Sequence, residues 1–455
     1  MSDELPSKIN ILTLNCWGLK FIAKYRRERL LEIGKRIASM PDPPHIVGLQ
    51  ECWTQEDYNN IREETREILP YGKFYFSGVF GGGLVILSKW PIESSHMLRY
   101  SLNGRPTAFF RGDWFVGKGV ACANVRYGPG PKDIAAVFCT HLHAPYEQEH
   151  SDSYVCHRTS QAWEIMKLMR GAAEKGYLVI GLGDFNMVPL SLAHKLITSH
   201  APVKDVWREL HPDSSIGAAK DKAEKARGKP VPTAEFNIKE NGTTCDGPYN
   251  TWRWPKKEQK KLVHGPIETD GSVLDRNGKR LDYIFVGESP YSFEDTWKIE
   301  DVKLGMMERH PTLHCSLSDH FSVEATIVRN DSHRGALKKL PPQSLAMPSS
   351  RSRSVSPAVE GAVSPRTLNE DGSHRYIHTS RTTQTPEQAR EMYDGILATI
   401  EKYVNRERFQ RRFRVLNFFW GTLVAIGCLV AQWWVPRNYV AFILTLLGAQ
   451  SLERI

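Results

Sequence analysis

Short apolar runs that stop at polar residues recur along the first 330 positions. Ile9 to Leu14 closes on Asn15, and His45 to Leu49 closes on Gln50 and Glu51. Leu84 to Leu87 follows a Gly81-Gly82-Gly83 turn, and Gly119 to Val125 is a further run. Ile134 to Cys139 leads into Thr140-His141-Leu142-His143, and Leu178 to Leu182 into Gly183-Asp184-Phe185-Asn186. Leu281 to Val286 is another, and Phe321 to Val328 follows Leu317-Ser318-Asp319-His320. Runs of this length bounded by turn residues predict buried strands. Between them, Tyr25 to Ala38 sets Leu30, Ile33 and Ile37 at helical spacing against a charged face, until Pro41 to Pro44 break it. Asp57 to Leu69 predicts an exposed, charge-rich helix. Val155 to Ala173 predicts a helix burying Ala162, Ile165, Met166 and Met169, the methionines as core filling. The stretch from Ser214 to Arg227 reads as surface helix or loop. Strands mixed with helices over residues 9–328 predict an α/β class with a two-sheet core; the pattern does not order the strands.

The pattern changes after Asn330. Ser332 to Thr385 is rich in Ser, Pro, Arg and Thr, which predicts a disordered linker; its Ser356-Pro357 and Ser364-Pro365 pairs are candidate phosphorylation sites. Pro386 to Tyr403 predicts a helix, and Arg406 to Arg414 is strongly basic. Val415 to Val435 holds 21 residues without a charge, with Trp420, Trp433 and Trp434 near its ends. A helix of that length crosses the roughly 30 Å of a bilayer's hydrocarbon. Tyr439 to Ala449 is a shorter apolar run: a full span, a re-entrant segment or half a hairpin. The organisation expected is a folded domain over 1–330, a linker over 331–385, a basic juxtamembrane helix over 386–414 and an anchor over 415–455, with one span at 415–435 and a second, shorter apolar segment at 439–452. The arginines before Val415 predict that the folded domain faces the cytoplasm. They also predict attraction to anionic phospholipid, at about 1 kcal/mol per residue near the surface.

A net charge of +9 asks for an anionic partner without choosing among nucleic acid, membrane and phosphorylated substrate. The eight cysteines form no C-x-x-C pair, which favours a reducing compartment over a disulfide framework. Met1 to Lys8 carries no apolar core of a signal peptide. The three glycines at 81–83 lack the lysine of a phosphate-binding loop and read as turn chemistry.

Five polar clusters at the ends of apolar runs supply what phosphodiester hydrolysis needs: a cation against developing charge, a base for water, and donors on the phosphate oxygens. Glu51 is a hard oxygen ligand suited to Mg²⁺, and Asn15 completes or supports that shell. The histidines suit acid, base or charge-stabilising roles better than Mg²⁺ ligation. Asp184 and Asn186 suit positioning of water or of a phosphate oxygen.

Leu14-Asn15-Cys-Trp17-Gly18, Leu49-Gln50-Glu51, Thr140-His141, Gly183-Asp184-Phe185-Asn186, Arg280-Leu281-Asp282-Tyr283 and Ser318-Asp319-His320 resemble, in order, the motifs of the endonuclease/exonuclease/phosphatase superfamily. Gly112-Asp113 through Gly117-Lys118, Thr140 through Tyr146, and His157-Arg158 through Trp163 look like the neutral sphingomyelinases and their fungal relatives, the inositol phosphosphingolipid phospholipases C; Ala144-Pro145-Tyr146 leans fungal. The resemblance covers about residues 9–328. It implies a four-layer α/β/β/α sandwich, two packed mixed β-sheets flanked by helices, followed by C-terminal transmembrane segments. It implies Glu51 as Mg²⁺ ligand with Asn15 beside it, Mn²⁺ as a substitute ion, and Asp319 in the metal shell or behind it. His320 becomes the base, oriented by Asp282. Asp184 and Asn186 hold water and phosphate, and His141 stabilises charge or protonates the leaving oxygen. Asp113 and Lys118 belong to a loop needed for activity, with Lys118 meeting the phosphate or gating the site. The activity implied is a Mg²⁺-dependent phospholipase C acting on membrane sphingolipid, stimulated by anionic phospholipid and without a nucleic-acid partner. The setting implied is an integral membrane protein of the endoplasmic reticulum or mitochondrial outer membrane. The competing readings are a nuclease using the same residues and a non-catalytic membrane adaptor.

Overall fold

The computed structural model describes residues 4–330 except 80, 106–107, 109–110, 148–151 and 290–295, then the strands at 366–368 and 374–376, residues 385–432, and single positions at 434, 439, 442, 443 and 446. Two six-stranded sheets pack face to face. The first runs β11-β12-β1-β2-β4-β3 and the second β5-β6-β7-β8-β10-β9. The strands are β1 Lys8–Asn15, β2 Ile46–Gln50, β3 Tyr71–Tyr75, β4 Leu84–Ser88, β5 Ile92–Arg99, β6 Gly119–Arg126, β7 Ile134–His141, β8 Leu178–Asp184, β9 Val203–Asp205, β10 Asp282–Gly287, β11 Trp297–Gly305 and β12 Ser322–Arg329. The helices used below are α1 Arg26–Ala38, α2 Gln55–Thr65, α3 Asp113–Val116, α4 Val155–Glu174 and α5 Leu192–His200.

Runs such as β4 and β8 are continuous rather than alternating because these strands are covered on both faces, whereas β12 alternates. Ile9, Ile11, Ile46 and Ile86 meet Val137, Ile180, Leu182 and Ile284 between the sheets. Leu12, Leu14, Val47 and Leu49 turn the other way, onto Leu30, Ile33 and Ile37 of α1 and Ile61 of α2. Phe138, Val179 and Phe285 pack on Ile165, Met166 and Met169 of α4 and Leu196 and Ile197 of α5. The four layers are therefore helix, sheet, sheet, helix, as expected. The sheets approach closely at Gly48, where a Cβ would sit 1.8 Å from Leu182 Cδ1.

Both sheets are mixed in the same way. β1 lies parallel to β2 and antiparallel to β12; β8 lies parallel to β7 and antiparallel to β10. This brings the C-terminal ends of β1, β2, β7 and β8 and the starts of β10 and β12 to one edge of the sandwich.

Differences from the expectation are local. β3, β5, β9 and β11 were not foreseen. Helix α2 buries Asp57, Ile61 and Thr65, and Asp57 pairs with Arg26. The stretch 214–227 holds a short helix at Lys222–Lys225. The expected juxtamembrane helix, basic run and most of the first span form one helix, Pro386–Gln432. That helix is long and apolar enough to cross a membrane. Its first half rests on the domain: Tyr393 Oη is 2.6 Å from His200 Nε2, and the Tyr403 ring is 5.3 Å from that of His157. Of the 331–385 linker, the structure describes the paired strands Arg366–Leu368 and His374–Tyr376. The Ser-Pro pairs and most of the 439–452 segment lie outside the described residues.

Candidate active site

Strand register sets the side chains. In the second sheet His141 is paired with Asp184, and Asp184 with Asp282, three candidate groups in a row across three strands. In the first sheet Asn15 is paired with Gln50, so Glu51 follows just beyond, and His320 stands two residues before β12. Trp17 and Glu51 take left-handed backbone angles, φ 48° and 55°, where the chain leaves β1 and β2. Such angles cost energy in non-glycine residues and persist where the surroundings enforce them.

Asn15 straps the two sheets together. Its Nδ2 donates to Glu51 Oε1 at 3.2 Å and to Asp184 Oδ2 at 3.0 Å, while its Oδ1 accepts from Trp17 N at 3.0 Å. Asn186 donates its backbone N–H to Asp184 Oδ1 at 2.9 Å and its Nδ2 to Leu142 O at 3.1 Å. His141 Nε2 is 3.5 Å from Asp184 Oδ2. His320 Nδ1 lies 2.7 Å from Asp282 Oδ2, which leaves Nε2 as the nitrogen able to take a proton.

A second group backs the first. His143 Nε2 accepts from Gly104 N at 2.8 Å, so Nδ1 carries the proton and faces Asp113 Oδ1 at 3.3 Å. Lys118 is buried within reach of the charges of Asp113, Glu51 and Asp184. Asn103 clamps its backbone, accepting from Lys118 N at 3.0 Å and donating to Lys118 O at 2.8 Å.

Seven of the ten expected residues thus meet: Asn15, Glu51, His141, Asp184, Asn186, Asp282 and His320. Lys118 adjoins them. Asp113 contacts His143 rather than the central group. Asp319 sits at the rim, 3.7 Å from Arg253 Nη2, and its charge reaches Glu51.

Burial and mutual repulsion shape the charges. Burial raises Glu51, helped by Asp319, and raises Asp184, helped by Asp282. Burial and Lys118 keep His141 neutral by lowering its pKa. For His320 burial pulls downward, but the charge and hydrogen bond of Asp282 outweigh it and carry the pKa well above the ordinary histidine value. Glu51 Oε2 and Asp282 Oδ1 are buried without a hydrogen-bond donor. Asp184, Asp282 and His320 offer ligand atoms within 4.8 Å of one another. Crowded, donor-starved carboxylate oxygens fit a hard divalent cation.

Residues the pattern did not single out hold this geometry. Arg29 is fully buried and donates to Leu317 O at 2.6 Å, Trp17 O at 2.8 Å, Lys24 O at 2.8 Å and Cys16 O at 3.2 Å. Its guanidinium stacks on Trp17 at 4.7 Å. Asn250 Nδ2 donates to Ser318 O at 3.0 Å, and Ser318 Oγ to Asn15 O at 2.5 Å. Arg29 had a legible signal: it precedes Leu30 and lies four residues before Ile33, on the inward face of α1.

The chain matches the model of the Endonuclease/Exonuclease/phosphatase family over residues 12–320. It is 41% identical over 333 residues to the inositol phosphosphingolipids phospholipase C of Schizosaccharomyces pombe, covering 72% of this chain and 70% of that protein. It is 35% identical over 348 residues to the protein of the same name in Saccharomyces cerevisiae, covering 72% of this chain and 65% of that one. The human sphingomyelin phosphodiesterase 2 is 31% identical over 209 residues, 46% of this chain and 48% of its own.

Proposed function

The chain belongs to the Endonuclease/Exonuclease/phosphatase family as a phosphodiester hydrolase, and from that premise we propose a membrane-anchored, Mg²⁺-dependent phospholipase C that cleaves sphingolipid head groups. The observation carrying this reading is the His320–Asp282 pair set beside buried carboxylates that lack donors. The names of the fungal relatives favour an inositol phosphate head group; the human relative's name makes sphingomyelin the second candidate.

Glu51 would hold the cation, with Asn15 supporting it, Asp184 and Asp282 within reach and Asp319 behind. Mg²⁺, or Mn²⁺ in its place, would neutralise charge building on the phosphate oxygens. The chain's own groups do the rest. His320 Nε2 removes a proton from water, and Asp282 fixes the tautomer and stabilises the imidazolium formed. Asn186 and Asp184 orient the water or a phosphate oxygen. His141, kept neutral, donates a hydrogen bond to the phosphate or to the leaving oxygen. Lys118 brings a positive charge to the non-bridging oxygens, and Asp113 with His143 places the segment that carries it. The oxygen of water bonds to phosphorus, the bond to the ceramide oxygen breaks, that oxygen takes up a proton from His141 or solvent while His320 gives its own back to solvent, and ceramide and a phosphorylated head group leave.

Helix Pro386–Gln432 would tether the site beside a substrate confined to the membrane, raising its local concentration. The arginines before Val415 favour a cytoplasm-facing domain, in the endoplasmic reticulum or mitochondrial outer membrane, with anionic lipid as activator. The test is purified full chain with Mg²⁺ offered inositol phosphoceramide, sphingomyelin, lysophospholipid and DNA. Ceramide release that Glu51→Gln and His320→Ala abolish supports the reading. Cleavage of DNA with both sphingolipids untouched overturns it in favour of a nuclease.

A further inference from the structure

The strands that carry the site reach it at one edge of the sandwich, and the pairing shows what else stands there. β3 ends and β4 begins beside the end of β2, with Tyr75 opposite Leu84 and Val85 opposite Leu49. β6 begins beside the end of β7, with Val120 opposite Thr140. The segments leaving β1 and β3 and entering β6 therefore surround the site. They hold large apolar side chains in the open: Phe21 is 92% exposed, Ile22 70%, Phe76 67%, Val79 79% and Trp114 43%. Val79 N donates to Phe115 O at 2.9 Å, which gathers the last three beside α3. Exposed Lys20 and Lys24 flank Phe21 and Ile22.

The opposite edge differs. Among the described residues there, the segments 39–45, 66–70, 89–91, 127–133 and 175–177 expose no large apolar side chain, and Tyr71, at the start of β3, is exposed at that edge. Contiguous exposed apolar side chains on one end of a soluble domain mark a contact surface, whereas scattered ones do not.

The C-terminal helix identifies the partner independently. Tyr393 meets His200 at the far end of α5, whereas Tyr403 meets His157 near the start of α4, which follows β7 at the site's own edge. Arg406 reaches the charges of Arg105 and Arg111, just before α3. The helix therefore climbs toward the site's edge. At 1.5 Å per residue it carries Val415 about 18 Å beyond Tyr403 in that direction. The apolar run leaves the domain on the side where Phe21, Phe76 and Val79 stand open.

We propose that the edge holding the site lies against the bilayer, with Phe21, Ile22, Phe76, Val79 and Trp114 entering the lipid interface, so that the domain is held by loops and tail together. The lysines meet the anionic headgroup layer, and the apolar tips sit below it. A head-group phosphodiester then enters the site without the lipid leaving its leaflet. This rests on the membrane-anchored reading above.

The test uses the full chain reconstituted into phosphatidylcholine vesicles containing phosphatidylserine. An environment-sensitive fluorophore goes on Phe21→Cys, and on Lys132→Cys at the opposite edge as reference. The label at 21 should shift to the blue and be quenched by doxyl lipid, and the label at 132 should report water. Phe21→Ser/Ile22→Ser should lower turnover of bilayer-embedded sphingolipid by about tenfold or more, and leave turnover of a water-soluble chromogenic phosphodiester unchanged. Both labels reporting water, or both substrates slowing alike, overturns the inference while sphingolipid cleavage stands. Quenching at 21 in a protein that cleaves no sphingolipid upholds the membrane contact and removes the proposed reaction instead.

Discussion

Asp282→Asn isolates the pair on which the proposed mechanism turns. The carboxylate is fully buried, and its Oδ2 lies 2.7 Å from His320 Nδ1. An amide fills the same space without the charge. Two effects are lost: a charge-assisted hydrogen bond of about 1.5–3 kcal/mol, and attraction to the imidazolium, about 4 kcal/mol for unit charges 4 Å apart at an effective dielectric near 20. The two overlap, so about 3–4 kcal/mol is the reasonable loss, a fall of roughly 10²–10³ in kcat. The pH profile adds a sign. Asp282 lifts His320 by favouring its protonated form, and the base must be neutral to work. Removing the charge lowers that pKa, so the acidic limb of kcat/KM moves to lower pH while the plateau falls. Stability should fall too, because the buried His320 loses the partner that favours its charged form, with relief of the repulsion on Asp184 offsetting part of the loss. The assay is ceramide release across pH with a thermal melt on the same sample. A variant with an undiminished plateau, or with its acidic limb moved upward, would refute the reasoning.

Mg²⁺ at one hundred times its Kd should stabilise the protein by about 2.7 kcal/mol, a rise of a few degrees in Tm that Glu51→Gln loses; scanning calorimetry reads both. Without metal, folded Glu51 and Asp184 bind protons more tightly than in the unfolded chain, so stability should fall as pH rises from the ordinary carboxylate range through their raised values, and Mg²⁺ should flatten that slope. Lys118→Met should cost about 10²-fold in kcat with Tm steady or higher, since a buried ammonium is removed; an unaltered kcat would take Lys118 out of the site. Arg29→Met should lower stability by about 3–5 kcal/mol, and a chemical melt no weaker than wild type would show that the carbonyls it holds do not need it. Neutralising Arg406 through Arg414 should abolish stimulation by anionic lipid in a vesicle assay; an unaltered lipid response would locate the activator elsewhere.

What the chain's pattern displays is its interior. The eight foreseen strands are the central ones: most are buried on both faces and read as mainly apolar runs, while β12 alternates, with Glu324 and Thr326 half-buried between Val323, Ala325 and Ile327. The four unforeseen strands are the four sheet edges. β5 leaves Glu93, Ser94 and Ser95 in or near solvent, and β11 is bent by a bulge between Ile299 and Asp301. A strand with one neighbour needs little apolar sequence to keep its place. The site was legible for the same reason, since a polar residue ending a buried run has few purposes. Support around it was not. Helical spacing does turn Arg29 inward on α1, but its hold on Leu317 O and the clamp of Asn103 on Lys118 run through backbone atoms far away in sequence, and the pattern carries no trace of those partners. The join between the helix at 386–403 and the basic run was hidden because the side-chain character changes there while the helical backbone continues.

The close approach at Gly48 has a consequence at the mouth of the sandwich. Asn15 can touch Glu51 on one sheet and Asp184 on the other only if the sheets stay at their present separation, and the absent side chain at 48 lets Leu182 settle that separation. Interior bulk thus acts as a caliper for the reacting groups. A methyl added at 48 would displace Leu182 and press on Cys139, and whatever part of that strain reached the sheets would loosen the grip of Asn15 while every side chain at the mouth kept its identity.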